Sequence, residues 1–293
     1  MVLVRRLARL ALGLQMLLVV TGTGVRVTGS GLGCPTWPQC TGGSVTNTAA
    51  LGSHGYIEFG NRLLAVVMEA VGIWLVLAVR RHARPSTRLA LVQAAVVPLQ
   101  AAIGGLLVLS GLNPYVLILH FLTSFPLVFA AAALLRRFEP LSAPPHPLLA
   151  TLSALVVASV SAVLVLGTLV TGTGPHAGDP KVERLPFDPR HVTQLHADAV
   201  YLLTGLVLAV LVVARRSAYQ QWALGLLGLI VAQAGLGYWQ YANRVPAGAV
   251  AAHVALATTV FSVASWLALS TRARPARSAA PIPEPARGTA TAR

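Results

Sequence analysis

Four positions carry the residue types that could do chemistry inside this chain: Asn61, His120, His196 and His253. Each stands one or two turns inside the start of a long apolar run. An ionisable side chain is costly in hydrocarbon, so three histidines at such positions mark a candidate functional site. Neutral imidazole is a good metal ligand. Heme iron in particular takes axial imidazole from residues on facing helices of a bundle. The expected pairing is His196 with His253 around one heme, and Asn61 with His120 at the counterpart position. A lone intramembrane histidine is more often a hydrogen-bonded structural residue, so the weight lies in the recurrence and not in any single ring.

The elements that position these residues are membrane-crossing helices. Of the 293 residues, 55% are hydrophobic and only 10% charged, against about 25% charged in a soluble domain. Several apolar runs reach about 20 residues, the length needed to cross the bilayer core as helices. Helices satisfy their own backbone groups there, which excludes open strands. The fold class is therefore an all-α integral membrane protein. The net charge of +14 does not imply a nucleic-acid partner, because the arginines lie in short loops. Arg5, Arg6 and Arg9 precede the first span. Later clusters are Arg80, Arg81, Arg84 and Arg88; Arg136 and Arg137; Arg215 and Arg216; and Arg272, Arg274 and Arg277. They alternate with loops poor in basic residues, which predicts eight spans with both termini cytoplasmic. The stretch from Arg5 to Val27 starts like a signal peptide. It lacks a small-residue cleavage site and is long enough to span, so it is expected to be the first helix.

The expected spans are 7–27, 56–81, 89–109, 115–135, 148–170, 192–215, 222–241 and 247–269. The first outer loop opens with VRVTGSGLGCPTWPQC (25–40) and holds the only two cysteines, Cys34 and Cys40. On the outer side a disulfide persists, so a Cys34–Cys40 bridge is expected, with two free thiols as the alternative. Glu58, Asn61 and Arg62 fall in the first turns of the second span, and Glu58 and Asn61 share a face. Glu69 lies deeper near the same face, either as a buried hydrogen-bonded acid or on a proton path. His82 and His146 read as exposed loop residues, and the tail after Arg272, rich in Pro, Ala and Arg, as disordered. Arg62 and Arg244 are candidate partners for heme propionates, or else snorkelling side chains.

The two halves repeat. GVRVTGSG (24–31) matches GTLVTGTG (167–174), and LQAAIGG (99–105) matches AQAGLGY (232–238). His120 and His253 are 133 positions apart, as are Gln100 and Gln233, while Asn61 and His196 are 135 apart. Four helices per unit make both copies cross in the same direction, as two pseudo-symmetric four-helix bundles about an axis along the membrane normal. The expected division is 1–140, 141–271 and a cytoplasmic tail, 272–293.

Over about residues 7–270 the motifs VRVTGSGLGCPTWPQC, IEFGNRL, LQAAIGGLLVLSGLNP, LVTGTGPHAGD, LHAD and YWQYANRVPAGAVAAHV resemble the heme A synthase family. The resemblance implies a multi-pass enzyme of the cell membrane, a bacterial-type oxidoreductase of cytochrome oxidase assembly. It implies oxidation of the C8 methyl of heme O to a formyl group by successive hydroxylations, with heme A as product. A heme b cofactor would sit on His196 and His253, and the substrate heme on His120. Glu58 matches the family's acidic residue, with a catalytic role, and Cys34–Cys40 its outer-loop cysteine pair. Membrane lipid, heme O synthase and a terminal oxidase are the implied partners. One departure is plain: the family's Glu-x-x-His-Arg reads Glu58-Phe59-Gly60-Asn61-Arg62 here. Asn is a poor iron ligand, leaving His120 alone or His54, seven residues before Asn61, as its substitute. The rival readings are a diheme b-type cytochrome passing electrons from quinol and a transporter with duplicated bundles.

Overall fold

The computed structural model describes residues 1–139, 147–176, 178–179 and 181–272. His146 and the tail beyond Arg272 lie outside the described residues. The chain forms α1 (Val2–Val27), α2 (Gly52–His82), α3 (Thr87–Leu109), α4 (Pro114–Arg136), α5 (Pro147–Thr173), α6 (Pro189–Val213), α7 (Gln220–Ala242) and α8 (Ala247–Thr271). All eight are long and apolar enough to cross a membrane, and none of the described residues forms a strand. This is a multi-pass membrane protein, as composition requires.

Helix starts follow local chemistry. Asn113 caps α4 by accepting the backbone N–H groups of Tyr115 and Val116, with Pro114 in the first turn. Asp188 caps α6 through the N–H of Arg190, with Pro189 at the same place. A side-chain acceptor followed by Pro supplies an orphan donor's partner and a preset φ. Several boundaries differ from expectation: α1 starts at Val2 rather than near 7, α5 runs to Thr173 rather than 170, and α6 starts at Pro189 rather than 192. α2 begins at Gly52 rather than near Tyr56, because a 3-10 turn at Ala49–Leu51 feeds straight into it. α6 stops at Val213 rather than Arg215, because Arg216 takes φ +62 and its N–H goes to the Gln220 side chain. A left-handed residue cannot continue an α-helix.

α1 packs on α2, α2 on α3, α3 on α4, and α4 back on α1; α5 to α8 close the same circuit. The diagonal partners α2 and α4, and α6 and α8, are therefore separated by the interior of each circuit. Contacts of α1 and α4 with α8, and of α4 with α5, join the two sets. Phe125 on α4 meets Phe261 on α8 edge-on, with ring centres 5.1 Å apart. At one end the start of α1 meets the ends of α4 and α8: Arg9 donates to Glu139 at 2.6 Å, and Arg136 donates to Ser270 at 3.0 Å. At the other end the α1–α2 and α5–α6 loops interlock, with the N–H of Gly31 donating to the carbonyl of Gly178 at 3.2 Å.

Candidate functional site

In the second set of helices, His196 on α6 and His253 on α8 face each other across the interior. Their ring centres are 6.4 Å apart and the ring planes tilt by 48°. Two imidazoles on opposite faces of one metal ion, each bonded at about 2 Å with the ring centre about 1 Å further back, stand roughly 6 Å apart. The spacing therefore suits an iron between them. The His196 Nδ1 lies 3.1 Å from the carbonyl of Val163. A carbonyl only accepts, so Nδ1 carries the proton and Nε2 is left with its lone pair, the arrangement that metal-binding histidines use. The backbone carbonyl of His253 accepts from Gln233 Nε2 at 2.9 Å, and its Nδ1 is buried without a hydrogen-bond partner.

The first set repeats part of this. The carbonyl of His120 accepts from Gln100 Nε2 at 2.6 Å, and Gln100 is held in turn by Thr123 at 2.6 Å and Ser124 at 2.7 Å. His120 Nδ1 is likewise buried and unpartnered. The fourth corner is different. Asn61 Oδ1 accepts from Thr21 Oγ1 of α1 at 2.7 Å, so its carbonyl group has a protein partner. Beside it Thr21, Gly24, Thr28, Ile57, Gly60, Asn61 and Leu64 line a cavity of about 340 Å³. His54 lies inside α2, since the helix starts at Gly52, but it is exposed, and its Nδ1 is 2.9 Å from Ser30 Oγ.

Cys34 and Cys40 form the disulfide. Glu58 and Arg62 hold that loop against α2. One oxygen of the buried Glu58 accepts the N–H of Cys34 at 2.7 Å, and the other pairs with Arg62 at 2.5 Å. Arg62 also donates to the carbonyls of Cys34, Thr36 and Gln39 at 3.1–3.2 Å. Its guanidinium is thus occupied by the loop, which competes with the expected propionate contact. Arg244 is exposed at φ +60 in the α7–α8 turn, and its side chain makes no hydrogen bond among the described residues. Glu69 keeps one buried oxygen without a partner.

Sequence reasoning missed several contacts. Arg26, inside VRVTGSG, lies against Gly178 of the α5–α6 loop, and its buried Nε has no partner among the described residues. His176 bonds the carbonyl of Val245 at 2.8 Å, tying the α5–α6 loop to the α7–α8 turn. Arg26 lies in the repeated GVRVTGSG and His176 two residues beyond GTLVTGTG, and neither place signals these contacts. No group of three or more His, Cys, Asp or Glu side chains suited to a bare metal ion occurs among the described residues.

Fold and site thus define a multi-pass helical membrane protein with a facing pair of intramembrane imidazoles. Residues 5–178 match the model of a family described as cytochrome oxidase assembly protein. That is more than half of the chain, and the chain belongs to this family, which is the heme A synthase family. The match covers Glu58, Asn61, His120 and the disulfide, and stops short of His196 and His253. No curated protein matches the chain closely enough to count as a relative.

Proposed function

We propose that this chain is a heme A synthase: it oxidises the C8 methyl of heme O to the formyl group of heme A for terminal oxidases in the cell membrane. Family membership supports a role in cytochrome oxidase assembly. The observation that carries the finer reading is the chemical difference between the paired imidazoles at His196 and His253 and the single one at His120. His196 and His253 would hold a heme b, which would supply redox-active iron. The protein's part is to present two Nε2 lone pairs at the right separation from two helices whose register is fixed by neighbours.

The first half then receives the substrate heme on His120. At the counterpart position Asn61, held by Thr21, would offer that heme no second imidazole. Glu58 stands one helical turn before Asn61, and its two oxygens accept from Cys34 N–H and Arg62. Its proposed role is to stabilise positive charge developing at the methyl carbon or to handle a proton there. Propionate contacts fall to Arg244 and not to Arg62, whose donors go to the disulfide loop. The four-by-four helix circuits and the matched Gln–His contacts at offset 133 support two pseudo-symmetric bundles, 1–140 and 141–271. The arginine clusters support cytoplasmic termini. Heme O synthase is the proposed source of substrate and a terminal oxidase the destination of product. A diheme cytochrome b would call for paired imidazoles in both halves, and one of those places carries Asn61, whose amide oxygen accepts from Thr21.

Co-expression with a source of heme O, followed by mass analysis of the extracted hemes, tests the reading. Hydroxylated and formyl derivatives of heme O are expected. Unmodified heme O alone would leave the protein a cytochrome or a transporter.

A further inference from the structure

Each imidazole of the site lies against a glycine of the preceding helix. A Cβ added at Gly104 on α3 would stand 3.0 Å from His120 Cε1. One at Gly167 on α5 would stand 3.3 Å from His196 Cε1, and one at Gly237 on α7 would stand 3.2 Å from His253 Cε1. The same edge of each ring is involved, always Cε1, the carbon between the two nitrogens. At the fourth corner, where Asn61 replaces a ring, the nearest approach is loose: a Cβ at Gly22 would be 4.0 Å from Asn61 Nδ2. Other glycines in the same helices differ: Gly105 on α3 is packed on Trp37 and Gly172 on α5 on Leu185, and several more have nothing to accommodate. Gly225, Gly228 and Gly235 on α7, and Gly13 on α1, would carry a Cβ into open space. The glycine next to each ring is therefore a local fit and not a general feature of loose helices.

On α3 and α7 the glycine belongs to a two-point seat. Gln100 and Gly104, four residues apart, hold the carbonyl and the ring edge of His120; Gln233 and Gly237 do the same for His253. Residues four apart lie on one helix face. On α5 the second point is the Val163 carbonyl on His196 Nδ1, four residues before Gly167. The glutamine or carbonyl sets where the ligand stands, and the missing Cβ sets how far the ring edge can lean toward the preceding helix.

We propose that Gly167 and Gly237 are positioning residues that set the ring placement of His196 and His253, and hence the strength and geometry of axial ligation of a heme between them. This rests on the proposed heme site. A Cβ at either position must push the ring by a few tenths of an ångström, because the backbone of a packed helix cannot retreat from one contact alone. Mutating an outer-shell hydrogen-bond partner of a metal-binding histidine typically costs about 10–100-fold in metal affinity, and a displaced ring is expected to cost the lower end of that range.

The test uses full-length protein purified with its heme: wild type, Gly167→Ala, Gly237→Ala, and the control Gly235→Ala two residues away on α7. Two readouts are followed, the low-spin electron paramagnetic resonance g values and the rate of heme transfer to excess apomyoglobin. Shifted g values and about tenfold or faster transfer are expected in both seat variants, with wild-type behaviour in Gly235→Ala. Wild-type g values and transfer rates in both seat variants would overturn the assignment. If one variant does not accumulate, the other carries the test on the same terms. Should neither accumulate while Gly235→Ala does, the milder Gln233→Leu, which removes the other half of the same seat, must show the shifted g values, and unchanged values there overturn the assignment. Wild-type protein that contains no low-spin heme would instead remove the proposed heme site itself, an outcome distinct from an unaffected spectrum.

Discussion

The two halves of the chain place the same kind of residue at the same kind of position and then use it differently. In the second half, α6 and α8 present two imidazoles at 6.4 Å, and His196 is locked in one tautomer by the Val163 carbonyl. In the first half, α4 presents His120 on a matching Gln and Gly seat, while α2 presents an amide that a threonine already holds. Around that amide the first half adds what the second does not show: a disulfide loop tied to the helix by a buried carboxylate–guanidinium pair. On the proposed reading, a repeated frame carries both halves, and the changes at one corner suit one half to retaining a group and the other to acting on one.

The comparison breaks first at the paired imidazoles. His196→Ala or His253→Ala should remove the tightly bound heme b, seen as loss of its absorbance after purification. Full absorbance in both variants would rule out the pair. Next comes Glu58→Ala. The proposed reading has heme b remaining in place while conversion of heme O stops, and unchanged heme A output would take Glu58 out of the reaction. Asn61→His should make the halves more alike. The cavity beside residue 61 has room for a larger side chain, so a second low-spin heme should appear and conversion should fall about tenfold, as expected when an open metal position becomes closed. A variant that converts normally with two low-spin hemes would show that the open position is not used. The smallest effect belongs to Thr21→Val. It removes one hydrogen bond worth about 1 kcal/mol, and a modest drop in thermal midpoint with heme b unaffected is expected; loss of heme b would mean the halves are not chemically separate.

Much of this was legible in the sequence, for identifiable reasons. Eight spans follow from run length and composition, but not all of their ends: α6 starts at Pro189 behind the Asp188 cap, three residues before the expected 192. The four corners follow from a polar residue recurring in apolar helices at fixed offsets. The disulfide follows from two cysteines in one outer loop. What was hidden depends on side chains meeting across helices. Arg62 reads as a propionate partner until the 34–40 loop folds back over it and takes its donors. Asn61 reads as a failed ligand until Thr21 of α1 is seen to hold it. The glycine beside each imidazole is one of 26 in the chain, and although the repeat aligns Gly237 with Gly104 and Gly235 with Ala102, nothing in that alignment says that the glycine meets a ring. Only the direction in which His253 projects from α8 does so.

The central claim is that the second half alone closes an iron between two histidines. Low-spin heme should be measured by electron paramagnetic resonance in full-length protein carrying His120→Ala and, separately, His253→Ala. The low-spin signal should persist in the first variant and vanish in the second. A signal lost with His120 or retained without His253 would contradict the account.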